Sequence, residues 1–153
     1  MEGLLISACL LGLRCRYDGG HNALPPEALE TLRARYRLVP VCPETAGGLP
    51  VPREVSERRG ERIVGKSGAD VTEPFRKGAE TALALAQRKG CRLALMKERS
   101  PSCGHGRIYD GSFTGTLLPG NGAAAEKLLS AGITVYGESE LDRLLAGEKP
   151  CAL

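Results

Sequence analysis

A chain of 153 residues with 42% hydrophobic and 25% charged residues has the make-up of one globular domain, long enough to bury about two thirds of its unfolded surface. Its net charge of +3 is too small, and its arginines too scattered, to indicate nucleic-acid binding, and two Phe with no Trp leave little for base stacking. The longest apolar run, Leu4 to Leu13, is far short of a membrane span, and the only early charge, Glu2, has the wrong sign for a secretion signal, so the expected location is the cytoplasm.

Taken in chain order, Gly3–Ala8 reads as a strand apolar on both faces, which is the pattern of a buried parallel strand. It runs into a loop, Cys9 to Asn22, dense in glycine and turn formers and carrying Cys15, Asp18 and His21. Pro25 and Pro26 open a helix that presents Ala28, Leu29 and Leu32 on one side until about Arg35. Leu38–Val41 is a second strand, which Pro40 assigns to a sheet edge or a strand end. From Cys42 to Arg53, three prolines and the Gly47-Gly48 pair make a shaped loop, and Glu54–Asp70 alternates charged and apolar positions as a short hairpin or an excursion over one face would.

Asp70 or Thr72 is expected to cap the strongest helix, with Phe75, Ala79, Ala82, Leu83 and Ala86 on its inner face and Gly90 at its end. A third strand, Arg92–Met96, leads into a polar loop, Met96 to Gly111, stiffened at its start by Pro101. Asn121 is expected to cap a helix that turns Ala124, Leu128 and Leu129 inward until Gly132. Ile133–Tyr136 is a fourth strand, Ser139 begins a last helix with Leu141, Leu144 and Leu145, and the tail over 146–153 is expected to fray. No repeat or linker interrupts the alternation of strand and helix. The whole chain, 1–153, therefore reads as a single-domain, Rossmann-like three-layer α/β fold, with a mostly parallel sheet and helices on both faces.

Open α/β sheets bind ligands beyond the carboxyl ends of their strands. Cys9 ends the first strand, Cys42 ends the second, and Cys103 lies in the loop after the third, so three thiols from distant parts of the chain are expected on one rim. Cys15 is in the first rim loop, whereas Cys91 falls at the opposite end of its strand and Cys151 in the tail, where both read as ordinary small apolar residues. In a reducing compartment clustered cysteines ligate metal or react more often than they pair. Three thiolates suit zinc, with Cys15 or His105 as a fourth ligand, or three corners of an iron–sulfur cube. The cube would leave one iron open to a soft atom such as sulfur. Glu44, two residues after Cys42 and stiffened by Pro43, is placed as a general acid or base, and Ser100 as a hydrogen-bond partner for substrate or water. His21 and His105 lie in rim loops but carry no role the pattern can assign.

Several of these stretches occur together in a known order: Ser7-Ala8-Cys9-Leu10-Leu11-Gly12, Cys15-Arg16-Tyr17-Asp18-Gly19, Cys42-Pro43-Glu44 with Gly47-Gly48-Leu49-Pro50 and Pro52-Arg53, and Lys97 with Ser100-Pro101-Ser102-Cys103-Gly104. Over nearly the whole chain they resemble the thiouracil desulfurase family of small bacterial proteins. The resemblance implies a 4Fe-4S cluster held by Cys9, Cys42 and Cys103 with the fourth iron free, and Glu44 and Ser100 as catalytic residues. Beside it, Cys15 is expected as a possible additional ligand, and Ser100, Ser102 and Lys97 are expected toward the substrate. The expected reaction is non-redox desulfuration of a thiolated heterocycle such as 2-thiouracil, giving uracil and sulfide, the open iron binding the thiocarbonyl sulfur. Two other readings of the same residues are a metal-independent cysteine nucleophile, Cys103 or Cys15 with a histidine base, and a zinc-braced binding module.

Overall fold

The computed structural model describes residues 1–151. In chain order its elements are β1 (Glu2–Ser7), α1 (Pro26–Arg35), β2 (Tyr36–Val41), α2 (Pro43–Ala46), β3 (Ser56–Arg59), β4 (Arg62–Gly65), α3 (Thr72–Arg88), β5 (Leu93–Met96), β6 (Arg107–Tyr109), β7 (Leu117–Pro119), α4 (Ala123–Ser130), β8 (Thr134–Gly137) and α5 (Leu141–Ala146), with short 3-10 turns at Ala8–Leu11 and Glu138–Glu140.

Leu4, Leu5 and Ile6 of β1 are fully buried although successive side chains point to opposite faces, so both faces of that strand need cover. The sheet answers this with four parallel strands in the order β2-β1-β5-β8. On one face Leu5, Val41, Met96 and Val135 pack with Ala79, Ala82 and Ala86 of α3 and Ala124 and Leu128 of α4. On the other, Leu4, Ile6, Leu95 and Tyr136 pack with Leu32 of α1 and Leu144 of α5. The three-layer α/β architecture is the one expected. Pro40 sits opposite Ile6 on β2, an edge strand, where a missing amide donor is tolerated.

α3 carries glycine at position 78 because α2 lies directly on it there. A Cβ at Gly78 would come within 1.8 Å of the Pro43 carbonyl oxygen, and one at Gly47 within 1.9 Å of the Pro74 carbonyl oxygen. Gly78→Ala gains about 1 kcal/mol of helix propensity, yet the clash is with backbone that no rotamer change relieves, and overpacking of this kind costs about 1–3 kcal/mol. Gly78→Ala is therefore expected to unfold at lower urea concentration than the parent. A midpoint at or above the parent's would show that α2 is free to move off α3.

Some boundaries differ from the sequence reading. Tyr36 and Arg37 belong to β2, extending it back to the end of α1. Asn121 does not cap α4, whose first residue is Ala123; its Oδ1 accepts the Gly106 N–H at 3.0 Å and so ties down the preceding loop. Neither Asp70 nor Thr72 is an N-cap: α3 begins at Thr72 itself, whose N–H and hydroxyl both donate to Asp70 Oδ1, at 2.9 and 2.6 Å. Ser139 lies in the 3-10 turn that precedes α5. The stretch 54–70 is a hairpin, β3 antiparallel to β4, and a second hairpin, β6 with β7, follows the polar loop. Over 147–151 the tail is held rather than frayed: Tyr136 Oη donates to the Glu148 carbonyl at 2.6 Å and the Cys151 N–H to Glu140 Oε2 at 2.6 Å. Residues 152–153 of the expected frayed tail lie outside the described residues.

Candidate active site at the carboxyl edge of the sheet

Beyond the carboxyl ends of β1, β2 and β5 lies a cavity of about 530 Å³, walled on its outer side by Val55, Ser56 and Glu57 at the start of the β3–β4 hairpin and by the loop after β6. Cys9, Cys15, Cys42, Cys103, Glu44, Lys97, Ser100 and Ser102 all line it. His21, His105, Cys91 and Cys151 do not. The β3–β4 excursion therefore covers the site.

Each thiol arrives by a different local device. The chain turns sharply after β1, and the Cys9 carbonyl accepts the N–H groups of Gly12 (3.1 Å) and Asn22 (2.9 Å), which folds the first rim loop back over the strand end. Cys42 stands between β2 and α2, and its carbonyl accepts the Ala46 N–H at 2.9 Å. Cys103 is only 5% exposed and sits in a turn knotted around Ser100, whose Oγ accepts the N–H groups of Ser102 (3.1 Å) and Cys103 (3.0 Å). A Cβ at Gly104 would lie 2.6 Å from the Ser100 carbonyl oxygen, so the turn closes this tightly only with glycine there. Ser7, fully inside, locks the two strand ends together by accepting the Lys97 N–H at 2.8 Å.

Burial raises the pKa of Cys9, against a hydrogen bond from Asn22, and the neighbouring Cys42 adds to the rise. Burial pushes the Cys103 thiol up to about 12. Cys15 and Cys42 are hydrogen-bonded to each other, which pulls Cys42 down and holds Cys15 up. These thiols are mutual neighbours whose negative forms oppose one another, so a cationic group among them is what would hold them together as thiolates. Among the described residues no three His, Cys, Asp or Glu side chains converge on a point the size of a single ion. The donor set is soft, with thiols from three strand ends on one cavity, which is the chemistry of an iron–sulfur cube.

Beside the thiols runs a polar chain. Arg53 Nε donates to Glu44 Oε1 at 3.0 Å, both side chains being nearly buried, at 8% and 16% exposed. Ser102 Oγ donates to Glu44 Oε2 at 2.7 Å and lies 2.9 Å from Ser100 Oγ. Because the one hydroxyl proton of Ser102 goes to the carboxylate, Ser100 is the donor in the serine pair, and the order is Ser100 to Ser102 to Glu44. Ser102, expected toward the substrate, is 2% exposed and has its hydroxyl occupied within this chain. Lys97 Nζ pairs with Glu138 Oε2 at 2.7 Å and so presents a cation already partnered.

His105 faces Asn121 through Nδ1 at 3.2 Å, and its Nε2 is buried without a partner, away from the thiols. His21 Nδ1 accepts the Ala23 N–H at 3.0 Å. Neither supplies a base to a cysteine. The sequence reading gave no role to Arg53, although Pro52-Arg53 follows a rim loop, and it missed Ser7, Glu57 and Phe113. For Glu57 and Phe113 no sequence signal was present, since what matters about them is a hairpin contact.

Fold and site together define an α/β enzyme scaffold that gathers four thiols, three of them from strand ends, and a bound carboxylate at one end of a parallel sheet. The family model described as 2-thiouracil desulfurase matches residues 4–140, and the chain belongs to that family. It is 40% identical over 152 residues to the uncharacterized protein YbbK of Bacillus subtilis (strain 168), covering 93% of this chain and 99% of YbbK. It is also similar to the solved structure of the 4Fe-4S-dependent thiouracil desulfidase TudS, with a TM-score of 0.92 and 47% identity over 96% of this chain and 97% of that one.

Proposed function

We propose that this chain is an iron–sulfur-dependent desulfurase that converts a thiolated nucleobase of the 2-thiouracil type to the corresponding oxo base and sulfide. The observation that carries this reading is the meeting, in one cavity, of three thiols from three strand ends with the Ser100–Ser102–Glu44 chain. Cys9, Cys42 and Cys103 would hold a 4Fe-4S cluster, with Cys15 as hydrogen-bond partner to Cys42. Bound there, the cluster would supply a soft Lewis acid matched to a thiocarbonyl sulfur.

Glu44 takes the proton of the attacking water and returns it to the leaving group, the carboxylate being fixed at both oxygens by Arg53 and Ser102. Ser100, whose one proton goes to Ser102 in this structure, orients water or substrate by turning that proton to the cavity, and Lys97, paired with Glu138, lies near Cys9. Water adds to the ring carbon as the C–S bond breaks, so no electron donor is required. The metal-free nucleophile reading has little support, since Cys103 is buried with its thiol pushed up to about 12 and no histidine reaches it.

No helix among the described residues is long and apolar enough to cross a membrane. The proposed substrate is a small heterocycle, and the proposed location is the cytoplasm, with no nucleic-acid partner. The test is anaerobic reconstitution with iron and sulfide, followed by absorption spectra, iron counts and sulfide release from 2-thiouracil. Loaded protein is expected to release sulfide and chelated protein to release none. Turnover by chelated, colourless protein would establish the cysteine nucleophile instead, and loaded protein inert toward every thiolated base would overturn the desulfurase reading.

A further inference from the structure

Of the six aromatic residues, Phe75, Tyr36 and Tyr136 are buried in the core, at 1%, 7% and 4% exposed. The other three, Tyr17, Tyr109 and Phe113, all line the cavity. The cavity is also where the chain spends backbone strain. Among the described residues two non-glycine residues have positive φ, Arg99 at 69° and Phe113 at 59°, and both line it. A bulky side chain in left-handed backbone is disfavoured and persists only where the surroundings impose it.

The surroundings of Phe113 do impose it. Glu57, on β3 and 6% exposed, accepts the N–H groups of both Gly111 (3.0 Å) and Phe113 (3.0 Å) with the same oxygen, Oε1. On the loop's other side Arg59 Nε donates to the Gly111 carbonyl at 2.7 Å, and the hydroxyls of Ser112, Thr114 and Thr116 form a ladder with contacts of 2.6 and 2.8 Å. The Asp110 N–H donates to the Thr116 carbonyl at 3.0 Å and closes the loop at its base. A buried carboxylate committed to two backbone amides of one loop is a positioning device, and what it positions is a partly buried phenylalanine on the cavity wall.

We infer that Phe113 is the residue that selects a flat, conjugated heterocycle, and that Glu57 is the positioning residue that holds it on the cavity wall. This rests on the desulfurase reading and refines its substrate class: the ring must be planar and π-conjugated, not merely a carrier of C=S. An aromatic face gains from stacking on a conjugated base and gains nothing comparable from a puckered ring or an acyclic thiocarbonyl. Tyr17 and Tyr109 complete the aromatic mouth but lack the strained backbone and the carboxylate anchor.

The test compares 2-thiouracil with its puckered 5,6-dihydro derivative on reconstituted holoenzyme. In Phe113→Ala the KM for 2-thiouracil is expected to rise about tenfold with kcat held within about twofold, and the preference over the dihydro compound to fall by a similar factor. Glu57→Ala is expected to give the same KM shift, and the double variant no more than either alone. Glu57→Gln keeps the single accepting oxygen and is expected to recover most of the loss. Equal iron content in every variant separates these effects from damage to the fold. Wild-type discrimination between the two substrates that survives unchanged in Phe113→Ala would overturn the inference while leaving the desulfurase reading intact. Wild-type holoenzyme that releases sulfide from neither would instead bring down the reading beneath it.

Discussion

Cys9→Ser, Cys42→Ser and Cys103→Ser are each expected to lose both the visible absorbance of the cluster and all measurable sulfide release. Serine nearly preserves size, so the rim loops keep their path, but its hydroxyl is a hard oxygen that stays protonated where a thiol ionises on binding metal. The proposed set of three protein ligands has no spare, and losing one would leave two anchors for the cube. The expected cost to the fold differs among the three. Cys103 belongs to the apolar cluster between the sheet and α3/α4, and its serine variant should also lose some thermal stability. Cys9 and Cys42 are only partly buried, so their variants should melt close to the parent's apo form. Cys15→Ser is expected to keep its iron, since a serine hydroxyl can replace the thiol as hydrogen-bond donor to Cys42. The exposed Cys151→Ser serves as control. Iron and sulfide per chain, read with absorbance after anaerobic reconstitution, decide the ligand set. A fully loaded serine variant would remove that residue from it.

How much of this was readable in the residues depends on the kind of signal. The sheet was legible because Leu4-Leu5-Ile6 and Leu93-Ala94-Leu95-Met96 are apolar at successive positions, which only a strand covered on both faces accommodates. The three cysteines were legible because the strand-end rule converts three distant positions into one rim without any knowledge of strand order. The β6–β7 hairpin was not, since three-residue strands reading Arg-Ile-Tyr and Leu-Leu-Pro are too short to display a period. Capping failed at Asn121 for a physical reason: an Asn before a helix reads as a cap, but its carbonyl oxygen found the Gly106 amide of the neighbouring loop. Ser102 shows the same limit at the site. Its residue type announces a hydroxyl, and only the distances of 2.7 Å to Glu44 and 2.9 Å to Ser100 reveal a link in a chain and not a face toward substrate.

That link makes the second large effect specific. Glu44→Gln is expected to lower kcat by about 10²–10⁴-fold with little change in KM, the range for removing a general acid–base group. The amide cannot accept and return a proton, yet it keeps the shape that Arg53 and Ser102 hold, so cluster loading should be unaffected. Arg53→Ala reaches the same carboxylate from behind. It strands a nearly buried negative charge and also frees the Cys15 carbonyl, which Arg53 Nη2 binds at 2.8 Å, so both stability and activity should fall. Ser102→Ala leaves Glu44 charged and still paired with Arg53 but breaks its connection to Ser100, and removal of a hydrogen bond to a charged group predicts a loss of about 10–100-fold in kcat. If the hydroxyl chain only braced the loop, Ser102→Ala would change melting temperature and iron content while leaving kcat of the loaded fraction alone. If it carries orientation and protons between Ser100 and Glu44, kcat falls at full loading, and adding Ser102→Ala to Glu44→Gln costs little more, because the chain would then end at a group that no longer accepts a proton.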